Sequence, residues 1–356
     1  MTAPAPFLPP AATPPAPQLA APSSRPGPRL GSSSLERARG LGYAPVGRDG
    51  LPADLRPART GAGAYGLQAL RTPWWKGLLS VLAVVAAFLA LQLALGFAAG
   101  LGSVMLELPL PINPLTLLAT NLSWLAMIFV GPLITRAIHG LPRGAVSSLD
   151  GGVRWGRLWR ALAWVVPLYA ALHVLGFLVP TAFGEVTALH IAFAVVALLT
   201  TPFQAAGEEY TFRGSLMIGA ASWARSPWVG LAIGMAFSSF AFALAHGSTD
   251  PWLFAYYLLF GLAMAVVSLI TRGLEVAVVI HAVNNVIAFL VAALTGSDLN
   301  AGFDRSNGAG GPFMLVPMGL LVIAVAIAWA LERRRERAER AELAERARAI
   351  AAPAAG

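Results

Sequence analysis

The chain of 356 residues contains no cysteine and few charged residues. The absence of cysteine excludes disulfide bonds, thiolate nucleophiles, cysteine metal sites and iron–sulfur clusters. Only 12% of the residues are charged and 57% are hydrophobic, whereas a soluble protein of this size carries roughly 25% charged residues. Several apolar runs are long enough to cross a bilayer, so the composition predicts a polytopic membrane protein.

Several hydrolase signatures are also missing. The chain has no His-Glu-x-x-His zinc helix, no Gly-x-Ser-x-Gly nucleophile motif with a matching histidine, and no pair of intramembrane aspartates. Serine and aspartyl intramembrane proteases are therefore disfavoured. The formal net charge of +8 does not indicate a nucleic-acid partner, because the basic residues lie in tails and short loops, as the positive-inside rule describes.

The apolar runs predict an all-α fold, a polytopic membrane helix bundle of about eight transmembrane helices. The basic loops alternate with acidic loops, so both termini are predicted to be cytoplasmic in an integral membrane protein of the cell membrane. On the opposite side we expect Glu107, Glu185, Asp250 and Asp298, with Arg305 as the only base. The eight spans are about Gly77–Val104, Leu115–Ile138, Leu158–Pro180, Leu189–Ala206, Trp228–His246, Trp252–Ile270, Leu274–Leu294 and Phe313–Leu331.

Two segments flank the transmembrane domain, which is predicted over residues 73–331. Residues 1–72 are rich in proline and alanine without apolar periodicity, which predicts a disordered cytoplasmic arm. The first apolar run starts only near Gly77, so no signal peptide is expected. Residues 332–356 alternate arginine and glutamate at helical spacing, which predicts a charged cytoplasmic helix that continues from the eighth span.

A short polar motif, GEEYTFRG over Gly207–Gly214, follows the fourth apolar run. A charged residue costs roughly 2.5–3.5 kcal/mol at the middle of a bilayer, so three of them here need partners or a function. On a helix, Glu209 and Arg213 are four residues apart and share a face, which predicts an ion pair. Glu208 lies about 100° further round the helix and stays available for chemistry.

Polar residues also interrupt two later spans. His246 follows Phe242 by one turn, and His281 precedes Asn285 by one turn, so each pair shares a helix face. A carboxylate with an imidazole can deprotonate a water, or hold a metal that does so. An imidazole with a carboxamide can donate hydrogen bonds to an oxyanion. Peptide hydrolysis needs both functions, so we expect these side chains to meet in one hydrophilic pocket.

The three motifs together resemble the signature of the CAAX prenyl protease type 2 and bacteriocin-processing intramembrane peptidases, the CPBP family. The motifs are EEYTFRG from Glu208, FALAH from Phe242 and HAVNN from His281, and the resemblance covers about Leu189–Leu294. It implies an intramembrane endopeptidase whose partners are the lipid bilayer and a membrane-protein or peptide substrate. A prenylated CAAX-type substrate is one option.

The resemblance also implies roles for individual residues. Glu208 with His246 would activate the hydrolytic water. His281 with Asn285 would stabilise the oxyanion or complete a metal site, and Phe242 would support His246.

The resemblance implies a positioning role for two more residues and leaves the catalytic chemistry open. Glu209 and Arg213 would set the position of Glu208. Glu208, His246 and His281 could hold zinc with one open position, as in a metalloprotease. The same residues could also work without metal, as in a glutamic protease.

The predicted span ends conflict with a shared site. If the fourth span ends as drawn, Glu208 lies near one membrane face and His246 lies roughly 27 Å away at 1.5 Å per residue. The two side chains could meet only if the fourth helix runs on past Arg213, or if Ser215–Ala224 dips into the bilayer as a re-entrant segment.

Two other functions compete with proteolysis. A non-catalytic membrane scaffold or immunity-type member of the same family would use the polar cluster for binding, although the complete set of polar residues argues against it. A small transporter would use the carboxylate and histidines as a proton relay. The chain shows no convincing two-fold internal repeat, which disfavours a transporter.

Overall fold

The computed structural model describes residues 64–176 and 183–351, and every regular element in these ranges is helical. Short 3-10 turns at Ala301–Phe303 and Pro312–Met314 precede the last helix. The long helices in chain order are α1 (Trp74–Met105), α2 (Pro114–His139), α3 (Trp155–Gly176), α4 (Ala188–Ala221), α5 (Pro227–Ala245), α6 (Pro251–Thr271), α7 (Glu275–Leu294) and α8 (Leu315–Ala351).

The prediction of a polytopic helix bundle is confirmed. Among the described residues, seven helices are long and apolar enough to cross a membrane. The remaining helix, α3, coincides with the predicted third span, whose end at Pro180 lies outside the described residues. Each of the eight predicted spans therefore has a helix, and many large apolar side chains on α1, α2 and α4 are exposed, as expected of helices in contact with lipid.

Helix starts follow from local side-chain chemistry. Asn113 caps α2 by accepting hydrogen bonds from the backbone N–H groups of Leu115 and Thr116, at 2.9 and 3.1 Å. Asp250 caps α6 by accepting from Trp252 and Leu253, at 2.9 and 3.0 Å. Both helices have a proline in the first turn, where its missing N–H is not needed.

Helix α4 is much longer than predicted, and this corrects the view of Ser215–Ala224 as a re-entrant or surface segment. The fourth span is predicted to end at Ala206, but the helix runs from Ala188 to Ala221, 34 residues in all. A π-helical stretch at Phe212–Leu216 lies within it. The helix does not end at its charged residues, because these are buried against other helices. Their hydrogen-bond partners come from the interior of the bundle and not from a membrane surface.

Close backbone approach fixes α4 against α2. A Cβ atom at Gly207 would lie 1.9 Å from the carbonyl oxygen of Trp124, far inside van der Waals contact. Glycine is therefore the only residue that lets the two helices pack at this distance. Asn121, also on α2, donates to Thr200 Oγ1 at 2.7 Å and to Thr201 Oγ1 at 3.2 Å. These bonds hold the same two helices together at a second point, about one turn before Trp124 on α2.

The loops gather at the two ends of the bundle as the charge pattern predicts. At one end, the loop after α2 meets the α6–α7 turn, where Leu149 donates to the carbonyl of Arg272 at 3.1 Å and Arg154 pairs with Glu275 at 2.6 Å. At the other end, residues 295–311 bond to Ile112, Gly184 and Thr249 on three separate loops. Which end faces the cytoplasm stays a prediction.

The boundary of the predicted N-terminal arm is wrong at its end. Residues 64–70 are buried, and the Tyr65 hydroxyl donates to the carbonyl of Val146 at 2.6 Å. Gln68 donates to Ala145 at 3.0 Å. The apolar side chains of this segment pack onto the bundle, so it belongs to the folded domain. Residues 1–63 lie outside the described residues, as do residues 352–356 of the tail.

The C-terminal helix is continuous, as predicted, from Leu315 to Ala351. Arg157 of α3 forms an ion pair with Glu332 at 3.1 Å, and Arg272 of the α6–α7 turn pairs with Glu336. The first turns of the charged segment are thus tied to the bundle rather than only solvated.

We expect Gly207→Ala to destabilise the protein by about 1–3 kcal/mol, the usual effect of overpacking, because the new methyl group would overlap the Trp124 carbonyl oxygen. Thermal unfolding of the detergent-solubilised protein measures the effect. Gly100→Ala on α1 is the matched control, since its Cβ would meet no atom within 4 Å. Equal melting temperatures for the two variants would contradict the close packing of α4 on α2.

Candidate active site

The structure places the predicted acidic motif in the interior of the bundle. Glu208 and Glu209 on α4 are 5% and 0% exposed, and Arg213 is 0% exposed. His281 on α7 is 1% exposed, whereas Asn285, one turn later, is half-buried. Exposure therefore increases along α7 away from the acidic motif.

The Glu209 carboxylate joins two polar side chains from different helices. Its Oε1 atom accepts hydrogen bonds from Arg213 Nη1 at 2.9 Å and from His281 Nδ1 at 2.7 Å. The ion pair predicted from the i,i+4 spacing is thus present. Arg213 also donates through Nη2 to the carbonyl of Gly261 on α6 at 3.0 Å, and its guanidinium lies 4.5 Å from the centroid of the Phe242 ring on α5. Four helices therefore meet around one buried ion pair.

This arrangement fixes the tautomer of His281. An Nδ1 that donates to a carboxylate leaves Nε2 of the neutral ring as an acceptor. His281 Nε2 lies 3.6 Å from Glu208 Oε2, which is beyond direct hydrogen-bond distance. Among the described residues, Glu208 Oε2 has no hydrogen-bond partner. One water molecule could hydrogen-bond to both atoms at once.

The other oxygen of Glu208 begins a chain of carboxamides. Gln204, one turn earlier on α4, donates from Nε2 to Glu208 Oε1. Its own Oε1 accepts from Asn285 Nδ2 at 3.3 Å, and Asn285 Oδ1 accepts from Asn284 at 3.0 Å. The Tyr256 hydroxyl completes the chain by donating to Asn284 Oδ1 at 3.4 Å. Glu208 is therefore held by Gln204, whereas Glu209 and Arg213 position His281.

His246 lies at the edge of this cluster. Its Nδ1 donates to the carbonyl of Phe242 at 2.8 Å, and its ring stacks on Tyr257 with centroids 4.0 Å apart. The Phe242 ring is within aromatic contact of both His246 and His281, at 4.5 and 5.8 Å between centroids. In the described part of the chain, no hydrogen bond or ion pair joins His246 to Glu208, so the nearest imidazole to the free Glu208 oxygen is that of His281.

The length of α4 resolves the expected 27 Å separation. Helix α5 runs back along the part of α4 beyond Arg213, where Ser238 donates to the carbonyl of Phe212 at 2.9 Å. One turn further along α5, Phe242 reaches the level of the acidic motif, and His246 follows it. The first of the two options, a fourth helix that continues past Arg213, is the one observed.

Gln204 is the site residue that sequence reasoning missed. It was counted as part of the apolar run before the motif, although a carboxamide in such a run is itself costly unless it is paired. Its position four residues before Glu208 was the available signal, because i and i+4 side chains meet on a helix. Asn284 joins the same chain of hydrogen bonds through the side chain of Asn285.

Glu208, His246 and His281 are the three side chains that the resemblance offers as zinc ligands. A catalytic zinc needs three protein ligands around one point. Over residues 64–176 and 183–351, no group of three or more His, Asp or Glu side chains is arranged to hold a metal ion. Glu208 and His281 face each other, but His246 is turned onto Tyr257. The side-chain arrangement therefore does not fit a three-ligand zinc site.

One comparison with known proteins gave a match. Residues 189–287 match the family model described as type II CAAX prenyl endopeptidase, Rce1-like. This confirms the resemblance drawn from the three motifs and places the matched region over α4, α5, α6 and most of α7. No curated protein and no solved structure matches the chain significantly.

We expect Arg213→Met to destabilise the protein by about 3–5 kcal/mol, because it leaves the Glu209 carboxylate buried without its cation. Combining it with Glu209→Gln should restore part of the loss, since no uncompensated charge then remains. Thermal unfolding of the single and double variants measures both effects. Arg335→Met, which breaks the exposed Arg335–Glu339 pair, is the control and should change little. A stable Arg213→Met protein would contradict the buried ion pair.

Proposed function

We propose, from the premise of a protease family match over residues 189–287, that this protein is an intramembrane endopeptidase. It would hydrolyse a peptide bond in a membrane-associated protein or peptide. The observation that carries the proposal is the pair formed by Glu208 Oε2 and His281 Nε2, 3.6 Å apart in the bundle interior. Two acceptor atoms at this separation can orient both hydrogens of one water for attack.

In the proposed mechanism, Glu208 acts as the general base. It takes a proton from the bound water while the water oxygen forms a bond to the scissile carbonyl carbon. The resulting tetrahedral intermediate carries an oxyanion. When it collapses, the carbon–nitrogen bond breaks and Glu208 returns its proton to the leaving amine. Glu209 holds His281 in the tautomer that accepts from the water, so His281 is oriented before the substrate arrives.

The oxyanion needs a hydrogen-bond donor near this water. Asn285 is the carboxamide proposed for this role, because it is half-buried and its Nδ2 makes a long 3.3 Å hydrogen bond to Gln204, the residue that holds Glu208. His246 does not supply this donor, because its Nδ1 donates to the Phe242 carbonyl and Nε2 of the neutral ring is then an acceptor. This proposal differs from the roles that the family resemblance implied, because His281 rather than His246 faces the base.

The surroundings favour a substrate that reaches the site from within the membrane region. The catalytic pair is enclosed by helices whose outer faces are apolar, and the low dielectric there strengthens each hydrogen bond in the cluster. A segment of a soluble protein would have to unfold and pass between these helices to reach Glu208. A prenylated CAAX-type peptide is the first substrate class to test, because the matched family carries that name.

Glu208→Gln should abolish cleavage of a farnesylated CAAX-type peptide by the protein in proteoliposomes, with a loss of roughly 10²–10⁴-fold, because the carboxamide cannot accept the proton of the water. The melting temperature should stay close to that of the wild type. Glu339→Gln, an exposed change in the tail, is the control for loss of a carboxylate. If Glu208→Gln keeps full activity, the proposed base is wrong. If the wild type cleaves neither this peptide nor any membrane protein in the proteoliposomes, the scaffold alternative is favoured.

The proposed chemistry uses no metal, because the three candidate ligands are not gathered around one point. We expect a zinc chelator to leave peptide cleavage unchanged, and we expect elemental analysis of the purified protein to find much less than one zinc per chain. The control is the same chelator on a known zinc protease in the same lipid. Stoichiometric zinc together with loss of cleavage on chelation would contradict the metal-free mechanism.

A further inference from the structure

Arg305 is an isolated cation at one end of the bundle. It is the only lysine or arginine between Arg272 and Arg333. It lies in the loop of residues 295–311, at the end of the bundle that also holds the α5–α6 turn. The proposed mechanism does not use it, and the acid next to it in the chain, Asp304, interacts with it electrostatically without a close ion pair between the two side chains.

The backbone of Arg305 ties its loop to the α5–α6 turn. Its carbonyl oxygen accepts hydrogen bonds from Thr249 N at 2.9 Å and from Thr249 Oγ1 at 3.2 Å, both in the α5–α6 turn. Asp250 of the same turn accepts from the backbone of Gly308 at 2.9 Å. The loop is thus fastened over the turn that follows His246, and a substitution of the Arg305 side chain keeps these contacts.

The Arg305 side chain lies directly above the ring that supports His246. Its guanidinium carbon is 5.5 Å from the centroid of Tyr257, and Tyr257 stacks on His246 at 4.0 Å. One nitrogen, Nη1, donates to the carbonyls of Gly302 and Asp304 at 3.3 and 2.9 Å. Over the described ranges, no carboxylate lies within ion-pair distance of Arg305. A guanidinium has five N–H donors, so donors remain for a ligand.

The polar cluster of the candidate active site is more exposed at His246 than at Glu208. Glu208 and His281 are 5% and 1% exposed, whereas His246 and Asn285 are half-buried. The more exposed edge of the polar cluster is therefore the edge that carries His246, which connects to Arg305 through the buried Tyr257 ring. A peptide that places its scissile carbonyl beside Glu208 from this edge would bring a neighbouring group to the guanidinium.

We propose that Arg305 is a specificity-determining residue that binds a carboxylate of the peptide substrate near the scissile bond. The proposal rests on the proposed function. An arginine fork matches a carboxylate with two parallel hydrogen bonds, and the Tyr257 ring holds the guanidinium in place for them. The carboxylate is either the free C-terminus of the peptide or an acidic side chain.

The test measures binding and cleavage separately, with three farnesylated peptides that differ only at their C-terminal ends. The first peptide ends in a free carboxylate. The second ends in a carboxamide and is neutral at this end. The third also ends in a carboxamide, but its last residue is a glutamate. Dissociation constants for the protein in proteoliposomes come from a fluorescent label on each peptide. We expect the wild type to bind an anionic peptide at least about 10-fold more tightly than the neutral one, the lower range for a hydrogen bond to a charged group.

Arg305→Gln should remove this preference, and Arg305→Lys should keep part of it. Arg333→Gln is the matched control, because Arg333 also lies over an aromatic ring, at 5.3 Å from Trp329, but far along the chain from the site. Preference for the first peptide alone identifies the C-terminal carboxylate, and equal preference for the third includes acidic side chains. In cleavage, Arg305→Gln should raise KM for the anionic peptide and leave kcat and the neutral peptide unchanged.

Binding decides the proposal independently of catalysis. Equal binding of anionic and neutral peptides by the wild type, an unchanged preference in Arg305→Gln, or no binding of any peptide would overturn the role of Arg305. A charge preference that depends on Arg305, in a protein that cleaves none of the peptides, would support the carboxylate site and contradict the endopeptidase. Cleavage without any charge preference in binding would support the endopeptidase and contradict the carboxylate site at Arg305.

Discussion

The buried carboxylate of Glu209 is the group on which the arrangement of the other helices depends. It accepts from an arginine on its own helix and from a histidine on α7, and the arginine in turn donates to a backbone carbonyl of α6. A buried charge of this kind is costly unless every partner is in place. The relative positions of α4, α6 and α7 are therefore tightly constrained, and the same constraint orients the His281 ring toward Glu208. Stability and the geometry of the candidate site have a common origin.

The second carboxylate is held differently, and this difference separates their roles. Glu208 is restrained on one oxygen by the neutral carboxamide of Gln204, while its other oxygen faces His281 without a direct bond. A neutral partner keeps the carboxylate in position without competing for a proton, whereas an arginine would weaken it as a base. The adjacent acids thus divide into one that organises the helices and one that is available to a substrate.

The helical class, the eight spans and the Glu209–Arg213 pair could be predicted because each depends on local spacing in the chain. Three features could not be predicted in this way. The length of α4 depends on burial of its charges by other helices, and a hydropathy pattern cannot show that. The burial of residues 64–70 depends on the surface presented by the loop after α2. The pairing of Glu208 with His281 rather than His246 depends on the register between α4, α5 and α7, which no motif spacing encodes.

The ion pairs of the C-terminal helix have a practical consequence for handling the protein. Arg157 and Arg272 are partly enclosed by the bundle, and Glu332 and Glu336 are the acidic groups that compensate them. The predicted boundary of the membrane-spanning part at Leu331 is therefore a poor place to end an expression fragment or to attach a reporter protein. A fusion joint placed after residue 339, on the exposed continuation of α8, would leave both arginines compensated.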